Sequence, residues 1–250
     1  HVLKNPELAA VLRAIARQGS KALLEGDVAQ AIVTKVRTHP TNPGQLSLAD
    51  LAGYQPKKRE ALCTSYQVAP RNYRVCGFPP PSSGAIAIGQ ILGILQNTNA
   101  AAIPLQDGLR GPAPGADWLH LYTEAARLAF ADRALYVADP DFVQPPGGSW
   151  MSLLEPAYLA SRAKLIDLKK AQNFQAGNPV KGGTIYLTAA DENGMMVSFI
   201  QSNYMGFGSG VVEPTYGISL QNRGHGFSTN PQGPNTANLV MPGKRPFQTI

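Results

Sequence analysis

Thr184 follows directly on Gly182-Gly183 in the stretch "VKGGTIYLTAADENGMMVSFIQSNYMGFGSG", and these are residue types that can break an amide bond. Glycine at 183 allows backbone dihedrals that other residues avoid and leaves its carbonyl open to attack. The Thr184 hydroxyl can attack that carbonyl and move the acyl group from nitrogen to oxygen, forming an ester that water then hydrolyses. Thr184 would become a new N-terminus. Its α-amine, with an ordinary pKa near ~8, could then serve as general base for its own hydroxyl. One residue would supply nucleophile and base. The plainer reading is that a β-branched residue simply suits the start of a strand.

The elements around Thr184 fit the chemical reading, although these residues alone leave the plainer one ahead. Asn193-Gly194 separates "TIYLTAAD" from "MMVSFIQS", the strongest short hairpin signal in the chain. Residues 184–203 are therefore expected to form a two-stranded unit with Thr184 at its free start. The preceding "AQNFQAGNPVKGG" is polar and glycine-bearing and is expected to be mobile, as a cleavable junction requires.

Upstream of this stretch the pattern is helical. Asn5-Pro6 opens a helix with Leu8, Val11, Leu12 and Ile15 on one face and Gly19 at its end. Asp27 is the candidate cap of a second helix with Val28, Ile32 and Val36 as its stripe, and a short helical turn follows at Asp50–Tyr54. Two strands are expected around Cys63 and Cys76. A helix follows Ser82-Ser83-Gly84, residues 97–115 read as a loop, and a long helix covers 117–138, ending before Pro140. Another is expected within "EPAYLASRAKLIDLKK". Helices first and sheet afterwards imply segregated layers, an α+β class.

Composition limits the function. The 250 residues are 44% apolar and carry a net charge of +6, with the basic side chains scattered. That argues for mild attraction to anionic ligands, not for a nucleic-acid partner. No run approaches the roughly 20 apolar residues of a membrane span. The two cysteines flank a possible hairpin, so pairing is geometrically open, but buried free thiols are the preferred reading. His39, His120 and His225 have no metal-site spacing, so neither a metal nor another cofactor is expected. Glu124, Arg127, Asp132 and Arg133 read as intra-helix or surface pairs. The Pro79–Gly84 turn suits a plain helix cap and an anion-binding helix start equally well. "GFGSG" lacks the lysine of a phosphate loop.

Taken together, "GGTIYLTAADENGMMVSFIQSNYMGFGSGVVEPTYGISLQNRG", "GFSTNPQGPN", "PGKRP", "FPPPSSGAIAIGQIL", "EAARLAFADRALYVADPDF" and "NPELAAVLRAIARQG" resemble the γ-glutamyltranspeptidases, in that family's order and over essentially the whole chain. The resemblance implies an N-terminal-nucleophile hydrolase with a four-layer αββα sandwich. Residues 1–183 would be the mainly helical second half of the large subunit, and 184–250 the mainly β start of the small one. Self-cleavage between Gly183 and Thr184 would give a large/small-subunit heterodimer, and Thr184 would pass an acyl group from an amide to water or an amine. Ser202 falls where the family keeps a hydroxyl beside the nucleophile. Asn222 and Phe227 match a segment lining the substrate pocket, near the glycine loop of Gly206, Gly208 and Gly210. By the same resemblance, an arginine contacting the substrate and the glycine pair of the oxyanion hole fall outside residues 1–250. These residues alone are therefore expected to catalyse poorly.

The departures concern the substrate's head group. The family's acidic residue before the phenylalanine is Gly226 here, a nearby glutamine is Arg223, and two serines after "KRP" are Gln248 and Thr249. Without the carboxylate, a buried substrate ammonium would lack its opposite charge. Arg223 suits a second carboxylate or another planar anion. The expected substrate is thus a small-molecule amide with an anionic acyl group. The first reading is a γ-glutamyltranspeptidase-like amide hydrolase or acyl transferase, and a glutaryl-type or oxamate-like acyl group is the alternative. This pattern resembles the family's acylase-like and oxamate-hydrolase-like branch more than its glutathione-processing branch. A relative that never cleaves itself and has no catalytic role is the alternative of a different class.

Overall fold

Asn5 starts the first helix by accepting the Leu8 amide on its side chain at 3.0 Å, as the Asn-Pro signal predicts. The structure is a computed structural model, and it describes residues 4–108, 111–172, 174, 184–233 and 236–248. Gly183 and Thr249 therefore lie outside the described residues, as does most of the 171–183 junction. In chain order the helices are α1 (Pro6–Gln18), α2 (Lys21–Leu24), α3 (Gly26–Arg37) and α4 (Leu48–Ala52). A hairpin, β1 (Leu62–Val68) and β2 (Arg71–Gly77), leads to α5 (Gly84–Gln96). A small ribbon, β3 (Gln106–Gly108) and β4 (Gly111–Ala113), precedes α6 (Ala116–Tyr136) and α7 (Pro156–Ala163). The strands β5 (Thr184–Ala190), β6 (Met196–Ser202), β7 (Val212–Glu213) and β8 (Ile218–Ser219) follow. Each sheet is a two-stranded antiparallel ribbon. Among the described residues no helix is long and apolar enough to cross a membrane.

The chain divides into two compact units, and each draws on both sides of position 183. The first lies within His1–Lys57 and Val180–His225, the second within Lys58–Pro179 and Gly226–Ile250. In the first, Val11, Ala29, Ile32 and Val33 are buried, and the Asn5 amide donates to Gly217 O at 3.1 Å. In the second, α5, α6 and α7 enclose Ile91, Ile94, Leu121, Ala125, Leu128 and Leu159. Each fully buried aliphatic side chain there stabilises the unit by about 1.5–3 kcal/mol.

Several local expectations change. The cap of α3 falls at Glu25, whose side chain makes no capping bond, and Asp27 lies inside the first turn. The extra helix α2 moves the start of α3 one residue ahead of Asp27. The expected loop at 97–115 contains the β3–β4 ribbon. Cys63 and Cys76 are not free thiols. They are directly opposed across β1–β2 and form a disulfide. The β5–β6 turn is longer than an Asn-Gly two-residue turn. The Asp191 carboxylate accepts the Asn193 and Met195 amides at 3.0 and 2.9 Å, and Gly194 takes a φ of 81°.

The acids and bases of α6 are not surface pairs. Glu124, Asp132 and Arg133 are 1%, 5% and 7% exposed, which decides the point. Asp132 accepts Gln90 Nε2 at 2.7 Å and the Tyr158 hydroxyl at 2.8 Å, and it pairs with Arg162 at 2.9 Å. Burial raises the Asp132 pKa, against the pull of these three partners. The cluster ties α5, α6 and α7 together. Arg127–Glu124, at 3.5 Å, is an intra-helix pair of the expected kind.

Candidate active site

Thr184 is the first residue of β5 and stands directly opposite Ser202, the last residue of β6. The register continues through Leu187 opposite Phe199 to Ala190 opposite Met196. The Thr184–Ser202 pair lies at the open end of the ribbon. Ser202 Oγ accepts the Tyr204 amide at 2.9 Å, which fixes the hydroxyl just where the chain leaves the strand.

Beyond Ser202 the chain turns sharply. Tyr204 has a φ of 78°, unusual for an aromatic residue, and is 4% exposed. Gly206, Gly208 and Gly210 also have positive φ. At Gly208 a Cβ would in addition collide with the Leu220 carbonyl, so glycine is required there twice over. Asn222 holds this loop in place. Its Oδ1 accepts the Met205 amide and its own amide donates to Asn203 O, both at 3.1 Å. Asn222 is thus a support of the glycine loop in this structure.

Arg223 starts a 3-10 turn, Arg223–Gly226, and its amide donates to Gln221 Oε1. Its guanidinium lies 5.2 Å from the Tyr204 ring centre, a cation–π contact. Burial lowers the Arg223 pKa from its ordinary value, and Tyr204 opposes that shift. Among the described residues Arg223 has no carboxylate partner, so its fork remains available to an anion. His225 is an exposed residue of this turn, 6.1 Å from the Tyr204 ring. Sequence reasoning missed Tyr204, the centre of these contacts. Its one signal is an aromatic residue two positions before a glycine.

Gly226 and Gln248 belong to the second unit. The Gly226 carbonyl accepts Asn238 Nδ2 at 2.7 Å. Gln248 is joined to the Pro79–Gly84 turn: its amide donates to Pro81 O at 2.9 Å, and its carbonyl accepts the Ser83 amide and hydroxyl, each at 3.2 Å. The anion-binding alternative for that turn is thereby overturned. The Ser83, Gly84 and Ala85 amides go to Gln248 O, Ser82 Oγ and Phe78 O.

The γ-glutamyltranspeptidase family model, described as "Gamma-glutamyltranspeptidase", matches residues 1–250. The chain is 33% identical to the glutathione hydrolase proenzyme of Escherichia coli K12, over 99% of its own length and 42% of that protein. It is 34% identical to the acylase ACY 1 proenzyme of Pseudomonas sp. V22, over 98% of its length and 40% of that protein. Among solved structures, the cephalosporin acylase of Bacillus halodurans superposes with a TM-score of 0.78 at 35% identity, covering 100% of this chain and 41% of that one. The chain thus spans about two fifths of these relatives. Its α+β fold is that of the N-terminal-nucleophile hydrolases, as expected from the sequence. The chain belongs to the γ-glutamyltranspeptidase family.

Proposed function

We propose that the protein containing these residues is a self-cleaving amide hydrolase or acyl transferase acting through an acyl–Thr184 ester. The observation that carries this is the place of Thr184 at the open end of β5, opposite Ser202. In the first step Thr184 Oγ1 attacks the Gly183 carbonyl and the peptide C–N bond breaks. Water hydrolyses the resulting ester, leaving a Gly183 carboxylate and a free Thr184 amine. In turnover that amine takes the Thr184 hydroxyl proton as the oxygen attacks the substrate amide, and the leaving amine departs protonated. Water or an acceptor amine then attacks the ester and regenerates Thr184. Because both compact units draw on residues from either side of 183, the products of cleavage would remain joined as a heterodimer of large and small subunits.

The substrate is an amide with an anionic acyl group. Gly226 offers no carboxylate to a substrate ammonium, whereas Arg223 offers a guanidinium to a carboxylate. Gln248 and Thr249 replace the family's serines, so the head-group contacts change together. A glutaryl-type or oxamate-like acyl group fits this set better than the γ-glutamyl group of glutathione. The similarity to an acylase proenzyme supports the same reading.

Incubating the full-length protein with glutaryl, oxamyl and γ-glutamyl anilides tests the proposal. The account expects amine release, fastest from an acyl group without an α-ammonium, and an acyl mass increment on the fragment beginning at Thr184. Faster turnover of the γ-glutamyl anilide would overturn the substrate assignment. Release without any acyl fragment would overturn the mechanism.

A further inference from the structure

Asn238 is a buried amide that grips two separate backbone segments. Its Nδ2 donates to Gly226 O at 2.7 Å, and its Oδ1 accepts the Phe247 amide at 3.3 Å. It is 3% exposed and sits in the short 3-10 turn Thr236–Asn238. Its own carbonyl accepts the Ser228 amide at 2.9 Å, so Asn238 holds the chain on both sides of Phe227. The turn is held in place in its own right. Lys244 Nζ, also buried, donates to Ala237 O at 2.7 Å.

The Phe247–Gln248 segment is fixed from its other side too. The Asp139 carboxylate accepts the Arg245 amide at 2.9 Å, and the Arg133 guanidinium lies 5.1 Å from the Phe247 ring centre. Ser83, fully buried, donates its amide and hydroxyl to Gln248 O. Gln248 itself is exposed. Buried side chains therefore fix the backbone of a segment whose last described residue faces outward.

We infer that Asn238, supported by Ser83, is a positioning residue that sets the spacing between Gly226 and Gln248 and so determines which acyl head group the protein accepts. This rests on the assignment of Gly226 and Gln248 to the head-group region made under the proposed function. The side-chain chemistry is specific. One end must donate to a carbonyl and the other accept from an N–H, at asparagine length. Aspartate keeps the acceptor but loses the donor and turns a carboxylate towards the Gly226 carbonyl. Leucine loses both.

The test uses the full-length protein and calorimetric binding of glutarate and of oxamate, which needs no turnover. Asn238→Asp should weaken binding of the preferred anion about tenfold, the loss expected of one displaced hydrogen-bonded segment. Ser83→Ala, a milder cut that keeps the backbone bond, should weaken it about threefold and carries the test if Asn238→Asp does not fold. Gln90→Leu is the control. It removes two buried hydrogen bonds of the same unit, to Asp132 and Leu153 O, with no link to Gly226 or Gln248. It should lower the melting temperature and leave the affinity unchanged. Unchanged affinity in both clamp variants, equal weakening in Gln90→Leu, or a parent that binds neither anion would overturn the inference. A parent that binds glutarate yet never cuts itself at Gly183 would overturn the catalytic reading and leave the clamp standing.

Discussion

Thr184 and Ser202 are backbone partners in the last residue pair of the β5–β6 ribbon. The pairing puts the proposed nucleophile at a strand terminus, where it can follow a scissile bond and later carry a free amine. A threonine in mid-strand has neither option, because the residues before and after it are both held in the ladder. The hydroxyl of Ser202 is oriented by the Tyr204 amide, so the residue that opposes Thr184 is also the one that begins the turn into the glycine loop.

That loop gives a stability prediction that separates two glycines only two residues apart. Gly208 and Gly210 both have a φ of 73°, but only at Gly208 would a Cβ strike the Leu220 carbonyl. Gly210→Ala should cost about 1 kcal/mol, the strain of a left-handed alanine. Gly208→Ala should cost about 3 kcal/mol or more, since backbone must move as well. Chemical denaturation of the two variants measures the difference, and equal losses would contradict the packing described.

Tyr158 gives a pH prediction. Burial first, and then its bond and proximity to Asp132, raise its pKa well above the ordinary 10.0. Above pH 10 the unfolded chain releases this proton while the folded chain keeps it. The associated stability is therefore full below pH 10 and is lost as pH rises towards and through the folded value. Tyr158→Phe should be about 1 kcal/mol less stable than the parent at pH 8, from the lost bond to Asp132. Its stability should then fall less steeply between pH 10 and 11.5. Parallel curves in that range would contradict the account.

Asp132→Ala strands the Arg162 guanidinium, which the structure pairs with Asp132 at 2.9 Å. Loss of one partner of a buried pair costs about 3–5 kcal/mol. The double variant Asp132→Ala/Arg162→Met should recover part of that loss, as measured by denaturant midpoints. A double variant no more stable than Asp132→Ala would show that the pair is not the source of the cost.

The disulfide is testable without any activity. Cys63 and Cys76 are separated by 13 residues, and closing a loop of that size stabilises a fold by about 3 kcal/mol. Replacing both by alanine should lower stability by about that amount, and a strong reductant should lower the parent to the same level. Alkylation of the unreduced, denatured parent should label neither cysteine.

How much of this was legible in the sequence follows the range of the interactions. The α1 cap and the β5–β6 hairpin are set by neighbours a few residues apart, and local patterns indicate both. The cysteine pair depends on strand register. A one-residue slip would turn Cys63 and Cys76 to opposite faces, and nothing in "TSYQVAPRNYR" fixes that register in advance. Asp132 looks like a surface acid because its partners Gln90, Tyr158 and Arg162 come from other helices. Asn222 shows the same effect at the candidate site. The resemblance assigns it to the substrate pocket, and no local pattern shows that its side chain also holds the Met205 amide, 17 residues away. Asn238 gives no local signal and Tyr204 only its place two residues before a glycine, since a positive φ and a long-range clamp exist only once the chain has folded.

The most direct measurement is the intact mass of the full-length protein, freshly folded, beside Thr184→Ala. The account predicts two fragments from the parent, with the smaller beginning at Thr184, and a single uncut chain from the variant. A soluble, folded parent that keeps one uncut mass would contradict the central claim. The chain would then be a member of its family that does not mature into a threonine enzyme.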